Sequence, residues 1–252
     1  MKDDMMKSLL NFRDIGGVRT IEGRAFRKGI VFRSANPDNI NKNDIQKLKD
    51  LGITTIFDLR APTESRYRRK DIEGIETRSL PMDFEKKTRE RLMPYFTKRN
   101  SRDVIANISN ELYLEMLDAA IPVFRQLSEV LVSHGGSPVL IHCQAGKDRT
   151  GIMCALLHLV AGTEHHSIIS DFMASNDYIV PYYRKKLMLR KIFTLGLFPS
   201  DNVLYAITVR QRNIESVIEK VKNNYGGIRS YLSLSGADQS LFDTLRDNLT
   251  IN

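Results

Sequence analysis

The chemistry of this chain is concentrated in one run, Val139-Leu140-Ile141-His142-Cys143-Gln144-Ala145-Gly146-Lys147-Asp148-Arg149-Thr150-Gly151. A short apolar strand ends at a cysteine, and five residues separate Cys143 from Arg149. A loop this short curls so that the backbone N–H groups of Gln144, Ala145, Gly146, Lys147 and Asp148 converge as an anion nest. The helix that follows adds its positive N-terminal end. Both favour a thiolate at Cys143 near neutral pH. The Arg149 guanidinium matches two oxygens of a phosphoryl group and tracks its equatorial oxygens as the group becomes trigonal. Thr150 can donate its hydroxyl to the sulfur and ease its departure in a second step. His142 is read as ordering the loop by hydrogen bonds rather than moving protons. The expected reaction is nucleophilic attack on a phosphomonoester.

The leaving oxygen needs a proton. The chain has no Trp, so a Trp-Pro-Asp acid loop is excluded. Asp118 is nearest before the cysteine, but the pattern around it is helical. Asp148, inside the loop, is the first candidate, with Asp58 and Asp83 as alternatives because both follow strand-like runs. Lys147 and Arg149 would lower the Asp148 pKa, whereas a thiolate and bound phosphate would raise it. Asp58 is read as orienting Arg149 or the loop. Lys147 is either a second cation for substrates richer in charge than phosphotyrosine, such as phosphoinositides, or a solvated lysine.

The elements that must position these groups alternate. Val18 to Arg33 reads as two short strands around Glu22-Gly23, with Ile30-Val31-Phe32 apolar. A helix is expected from Asn41 to Asp50, a strand over Thr54 to Arg60, and a weaker one over Ile75 to Leu80. Val104 to Val132 is helical, as two helices bent near Pro122. Strand 138–142 and the buried helix Thr150 to Val160 flank the loop. Helices are expected over 164–175, 181–193, 210–224 and 238–249. This alternation predicts an α/β sheet with helices packed on it and a mainly helical C-terminal part. No composition break divides the 252 residues, so one domain over 1–252 is expected, with a basic segment near 84–102 as a lid.

Composition agrees with a globular chain: 42% hydrophobic, 27% charged, net charge +8. The basic balance favours anionic partners. Two cysteines give no disulfide framework. Cys154 falls inside the helix leaving the loop and is read as a buried core thiol. The N-terminus carries acids and no apolar run, so it is not a secretory signal, and the expected location is cytoplasmic, or secreted if a signal was removed. No segment is long enough to cross a bilayer.

The loop is the Cys-x5-Arg-Thr signature of cysteine-dependent phosphatases. Together with Asn11-Phe12-Arg13-Asp14-Ile15-Gly16-Gly17, Asp58-Leu59-Arg60, Ser170-Asp171-Phe172-Met173-Ala174-Ser175-Asn176 and Tyr225-Gly226-Gly227-Ile228-Arg229-Ser230-Tyr231-Leu232, it resembles the bacterial tyrosine phosphatases of the LipA/PtpB type over roughly 11–247. The resemblance implies a central mostly parallel sheet, a phosphocysteine intermediate on Cys143, phosphate binding by Arg149, and a loop Asp as proposed acid. It implies substrates among phosphotyrosine, phosphoserine/threonine and phosphoinositides, and a helical lid. It also places the turn after Arg13 and Asp14 near the catalytic loop, while the residues alone suggest a local Arg13–Asp14 ion pair.

Other classes are weaker. A phosphate-binding pseudophosphatase would lack turnover, although Cys143, Arg149 and Thr150 are all present. Sulfur transfer is opposed by the Arg-Thr-Gly helix start. His165-His166 lack a third ligand at metal spacing, so no metal and no cofactor is expected. The basic runs 66–70, 86–91 and 184–186 read as solvated faces. No aromatic stripe supports nucleic-acid binding. Oligomeric state is left open.

Overall fold

A computed structural model describes residues 6–65 and 71–252. The basic run Arg66 to Lys70 lies outside the described residues. Five strands form the main sheet: β1 (Arg13–Asp14), β3 (Val31–Ser34), β4 (Thr55–Asp58), β5 (Glu76–Ser79) and β6 (Val139–His142), in the order β1-β3-β6-β4-β5. β1 is antiparallel to β3, and the other neighbours are parallel.

The strands are short and apolar because both faces are covered, as parallel sheets require. Val31, Phe57, Val139 and Ile141 face one core, and Phe32, Ile56 and Leu140 face the other. This is the two-residue alternation of a strand read at full burial. The second core is closed by α1 (Lys42–Asp50), whose Leu48 is buried and whose N-terminus is capped by the Asn41 side chain. The first is closed by α4 (Arg102–Ser133), α5 (Arg149–Ala161), α8 (Gln211–Asn223) and α10 (Gln239–Leu249). α5 is buried on nearly every face, which explains why its sequence is apolar all round. A second, two-stranded sheet pairs β2 (Ala25–Phe26) with β7 (Thr250–Ile251) and ties the beginning of the chain to its end.

Two prolines do not divide helices as the sequence suggests, and a third lies inside a helix. α4 runs unbroken through Pro122, and α6 (His165–Phe193) runs unbroken through Pro181 where two helices were expected. α3 (Glu85–Phe96) contains Pro94 and occupies the segment read as a lid. All three prolines are exposed, so the carbonyl that each leaves unpaired lies on the solvent side of its helix. Three short helices, α2 (Pro62–Ser65), α7 (Ser200–Ile207) and α9 (Ile228–Ser233), were not legible as periodic segments. The hairpin around Glu22-Gly23 is reduced to a bridge from Arg19 to Ala25, because Ala25 and Phe26 pair with the chain end instead.

Ser34, Asp58 and His142 stand side by side at the carboxyl ends of β3, β4 and β6. The crevice beyond those ends is where open parallel sheets bind ligands.

Candidate active site

The loop from Cys143 to Asp148 joins β6 to α5 and is pinned from beneath. Gly146 has φ +66, and a Cβ there would lie 2.1 Å from the Ser34 carbonyl oxygen, so only glycine fits. Its own carbonyl accepts from Asn11 Nδ2 at 2.8 Å and from Arg33 Nη2 at 2.8 Å. Asn11 also donates to the Ala145 carbonyl at 3.3 Å. With the carbonyls turned down, the opposite edge is free: among the described residues no backbone N–H from Gln144 to Asp148 donates a hydrogen bond. That is an open ring of donors at the N-terminus of α5.

Cys143 is buried at the floor of this ring and lines a cavity of about 470 Å³. His142 Nδ1 lies 3.2 Å from the Cys143 carbonyl oxygen, and Nε2 lies 3.8 Å from Asp58. Burial outweighs Asp58 and holds the His142 pKa below its ordinary value, so the ring is neutral and works as a hydrogen-bonding strut. The Thr150 hydroxyl is buried and has no hydrogen-bond partner among the described residues. It makes no bond to the Cys143 sulfur in this state.

Arg149 is aimed by a residue that sequence reasoning missed. Glu64, on α2, takes Arg149 Nη1 at 2.5 Å and Nη2 at 2.7 Å, a two-pronged pair. The Leu59 and Met82 carbonyls accept from Nη1 at 3.4 and 3.2 Å. Among the described residues nothing bonds Arg149 Nε. Burial opposes the charge on Arg149, but Glu64 and Cys143 outweigh it and raise its pKa further. Burial likewise pushes Glu64 up, and Arg149 overcomes this and holds it below the usual carboxylate range. Asp58 does not orient Arg149. It is buried against Arg60, which Asp38 also grips at 2.7 and 3.0 Å, and this network braces the end of β4.

Asp148 sits at the N-cap of α5 without capping it. Its carboxylate accepts from the Tyr113 hydroxyl and from Lys147 Nζ at 2.7 Å. Burial would raise its pKa, yet Lys147, Tyr113 and Arg149 hold it below the usual range. Lys147 is therefore an ion-pair partner with a largely buried side chain, not a solvated lysine. Tyr113, on α4, is buried, and burial together with Asp148 lifts its pKa well above normal, so it remains a donor. Asp83 is exposed and does not line the cavity. Asp118 pairs with Lys220 and Tyr225 at 2.5 Å on the far side of α4.

Arg13 and Asp14 do not form the local ion pair that the residues suggest. Asp14 accepts from the backbone of Gly16 and Gly29. Arg13 reaches α6 instead, where Asp171 takes Arg13 Nε at 2.7 Å and Arg33 Nη1 at 2.5 Å. Arg13 also donates to Asn11 Oδ1, so Asp171, Arg13, Arg33 and Asn11 form one largely buried truss under the loop. Cys154 is fully buried and its thiol pKa is pushed up to about 12, mainly by burial. His165 and His166 are exposed. Among the described residues no group of three His, Cys, Asp or Glu side chains is placed to hold a metal.

α3, with Phe84 just before it, and α7 wall the cavity above Cys143, through Phe84, Leu92 and Phe96 on one side and Val203, Ala206 and Ile207 on the other. Glu64, Tyr113, Asn11, Arg33 and Asp171 belong to the site, yet none was singled out for a role by spacing. Asn11 and Asp171 lie in quoted resemblance segments, and that is the signal that could have found them.

A strand-borne cysteine under a ring of free N–H groups, with an arginine locked beside it, is an anion cradle of the kind cysteine-based phosphoryl chemistry needs. The chain matches the tyrosine phosphatase family over residues 5–251 and belongs to it; it is a cysteine-dependent protein phosphatase. It is 29% identical to the triple specificity protein phosphatase PtpB of Mycobacterium tuberculosis, over 94% of this chain and 95% of that relative. It is 25% identical to a putative tyrosine-protein phosphatase of Cupriavidus necator, over 89% of this chain and 81% of the relative. The crystal structure of Pseudomonas aeruginosa TpbA aligns over 90% of this chain and 89% of its own, at 15% identity and a TM-score of 0.34.

Proposed function

We propose that this chain, as one domain over 1–252 with α3 as its lid, hydrolyses phosphotyrosine, and also phosphoserine and phosphothreonine, through a phosphocysteine on Cys143. The observation that carries this reading is the placement of Cys143 at the floor of the free N–H ring, with Arg149 fixed beside it by Glu64. The ring and the free edge of Arg149 bind the three non-bridging oxygens, and the sulfur attacks phosphorus in line with the ester oxygen.

Asp148 is the proposed acid, yet Lys147 keeps it ionised in the free enzyme. An arriving dianion attracts the Lys147 ammonium to itself. That relieves Asp148 of its strongest cation, adds negative charge nearby, and raises its pKa so that it takes a proton. Asp148 then delivers this proton to the ester oxygen as the P–O bond breaks. In the second step the Asp148 carboxylate accepts a proton from the attacking water. Phosphate leaves, and the sulfur departs as thiolate, with the free Thr150 hydroxyl available to donate to it.

A second reading, a phosphoinositide phosphatase with the same mechanism, is favoured by cations beyond Arg149. Lys147, Arg89 and Arg210 all line the cavity. The name of the mycobacterial relative supports breadth beyond phosphotyrosine.

The test is turnover of wild type and Cys143→Ser on a phosphotyrosine peptide, a phosphoserine peptide and a phosphoinositide panel. Cys143→Ser is expected to lower hydrolysis by about 10³-fold or more. Retained hydrolysis refutes the mechanism. Lipid preference selects the second reading, and vanadate binding without turnover selects a pseudophosphatase.

A further inference from the structure

From the protruding end of α6 we infer that residues 184–197 are an anchor for an anionic lipid surface. Between Arg184 and Leu197 every residue is exposed except Leu187, which faces the body of the protein. Met188, Leu189, Ile192, Phe193, Leu195 and Leu197 are large, apolar and exposed together, with Phe193 at 84%, Leu195 at 93% and Leu197 at 87%. A contiguous apolar patch of this kind on a folded chain marks a contact surface.

Helix geometry orders the patch. At about 100° per residue, Met188, Ile192, Leu189 and Phe193 fall within one arc of about 140°, roughly opposite Leu187. Lys186 and Arg190 border one side of that arc, and Arg184 and Lys191 border the other. Leu195 has φ +51, a left-handed backbone that a bulky residue rarely adopts, and Gly196 follows at φ +86. This turn holds Leu195 and Leu197 out at the tip. A costly backbone that exposes a leucine does nothing for the core, and it suits a surface that inserts into something.

Charge selects the occupant. Arg184, Lys186, Arg190 and Lys191 border the apolar arc, Lys185 falls within it at its N-terminal end, and Lys98, Arg99 and Arg102 line the adjoining cleft with Leu197. The carboxylates in that cleft are Asp103 and Asp201, and Asp201 lies 3.6 Å from Lys191. Arg184 and Lys185 have no ion pair among the described residues. A second copy of this chain would set cation against cation. An anionic bilayer meets both demands: the apolar arc enters the headgroup–acyl boundary and the long basic side chains reach lipid phosphates. Among the described residues no helix is long and apolar enough to cross a membrane, so the contact lies on the surface.

The tip continues into α7, whose Val203, Ala206 and Ile207 wall the cavity above Cys143. Docking therefore brings that wall of the cavity to the lipid surface. The proposal does not depend on the substrate reading, because binding is measured without turnover.

The test is co-sedimentation of the full chain with vesicles of phosphatidylcholine alone or mixed with phosphatidylserine, at rising salt. Wild type is expected to bind the mixed vesicles and to be released as salt screens the contact. The triple variant Phe193→Asp, Leu195→Asp, Leu197→Asp is expected to lose binding. Arg184→Glu with Lys185→Glu is expected to lower it by about tenfold or more. Unchanged melting and unchanged hydrolysis of a soluble aryl phosphate show that the variants fold. Equal binding by wild type and the apolar variant overturns the proposal, as it would assign the effect to net charge. A wild-type dimer that the apolar variant converts to monomer, with no vesicle binding, also overturns it in favour of a second copy. Binding to polyglutamate as tight as to mixed vesicles overturns it in favour of an acidic protein.

Discussion

Asp148 is held by two neighbours, and each makes its role measurable. Lys147 and the Tyr113 hydroxyl both stabilise the carboxylate. Lys147→Ala should raise the Asp148 pKa in the free enzyme, so the alkaline limb of the kcat/KM–pH profile should move to higher pH. An unmoved limb would detach Asp148 from the proton. Asp148→Asn should slow aryl phosphates with poor leaving groups far more than those with good ones, because only the former need the proton. An equal loss would mean that Asp148 shapes the loop. Glu64 is a positioning residue, since both of its carboxylate oxygens are taken up by Arg149 and aim it. Glu64→Ala should lower kcat/KM by about 10²-fold, the scale of a misplaced catalytic group, while Glu64→Gln keeps part of the aim and loses less. Kinetics on a short series of soluble aryl phosphates read all of these.

β6, the loop and α5 act as one rigid piece, and its weak points are specific. Gly146→Ala places a Cβ 2.1 Å from the Ser34 carbonyl at a positive φ, so the loop must shift. Vanadate affinity should fall along with melting temperature. His158, fully buried in α5, shares its Nδ1 with the Thr163 hydroxyl at 3.2 Å. Burial lowers its pKa to about 4. The unfolded ring titrates near 6.5, so between about 6.5 and 4 the unfolded state binds the proton that the folded state refuses. Stability should therefore fall as pH drops through that window, by on the order of 3 kcal/mol. Denaturant unfolding across the window checks this, and His158→Asn should flatten the slope.

At the scale of the molecule, Asp171 joins three elements. It sits on α6 and holds Arg13 of β1 and Arg33 of β3. Burial would raise its pKa, but the two guanidinium groups hold it well below the usual carboxylate range. Its contribution to stability is complete above the unfolded value of about 4 and is lost as pH falls toward the folded one. Asp171→Asn leaves the buried Arg33 and the part-buried Arg13 poorly matched and should cost about 3–5 kcal/mol at neutral pH. The same change should remove part of the acid-unfolding limb. If denaturant melts at pH 7 and pH 3 show no such difference, the truss is not holding the fold.

The chemistry was legible because it is local. Cys143, Gly146, Asp148, Arg149 and Thr150 lie within one strand–loop–helix turn, and spacing along the chain fixes their directions. The alternation of strands and helices was legible for the same reason, since burial on two faces imprints a period on each element. Pro122 and Pro181 misled, because a proline breaks a helix only where its missing bond cannot be replaced by water, and exposure is decided by packing. Glu64, Tyr113, Asn11 and the Asp171–Arg13–Arg33 truss were decided by tertiary structure alone. A hydrogen bond between α2 and α5, or between α6 and β1, has no sequence period. The exposed end of α6 was legible only as a basic run, and which of its residues lack a core to enter is a property of the folded molecule. The sequence by itself determined the proposed nucleophile and the ring of N–H groups over it, because the strand–loop–helix turn dictates the placement of both. The aim of Arg149, the charge state of Asp148 and the footing of the loop come from side chains that only the folded chain brings together.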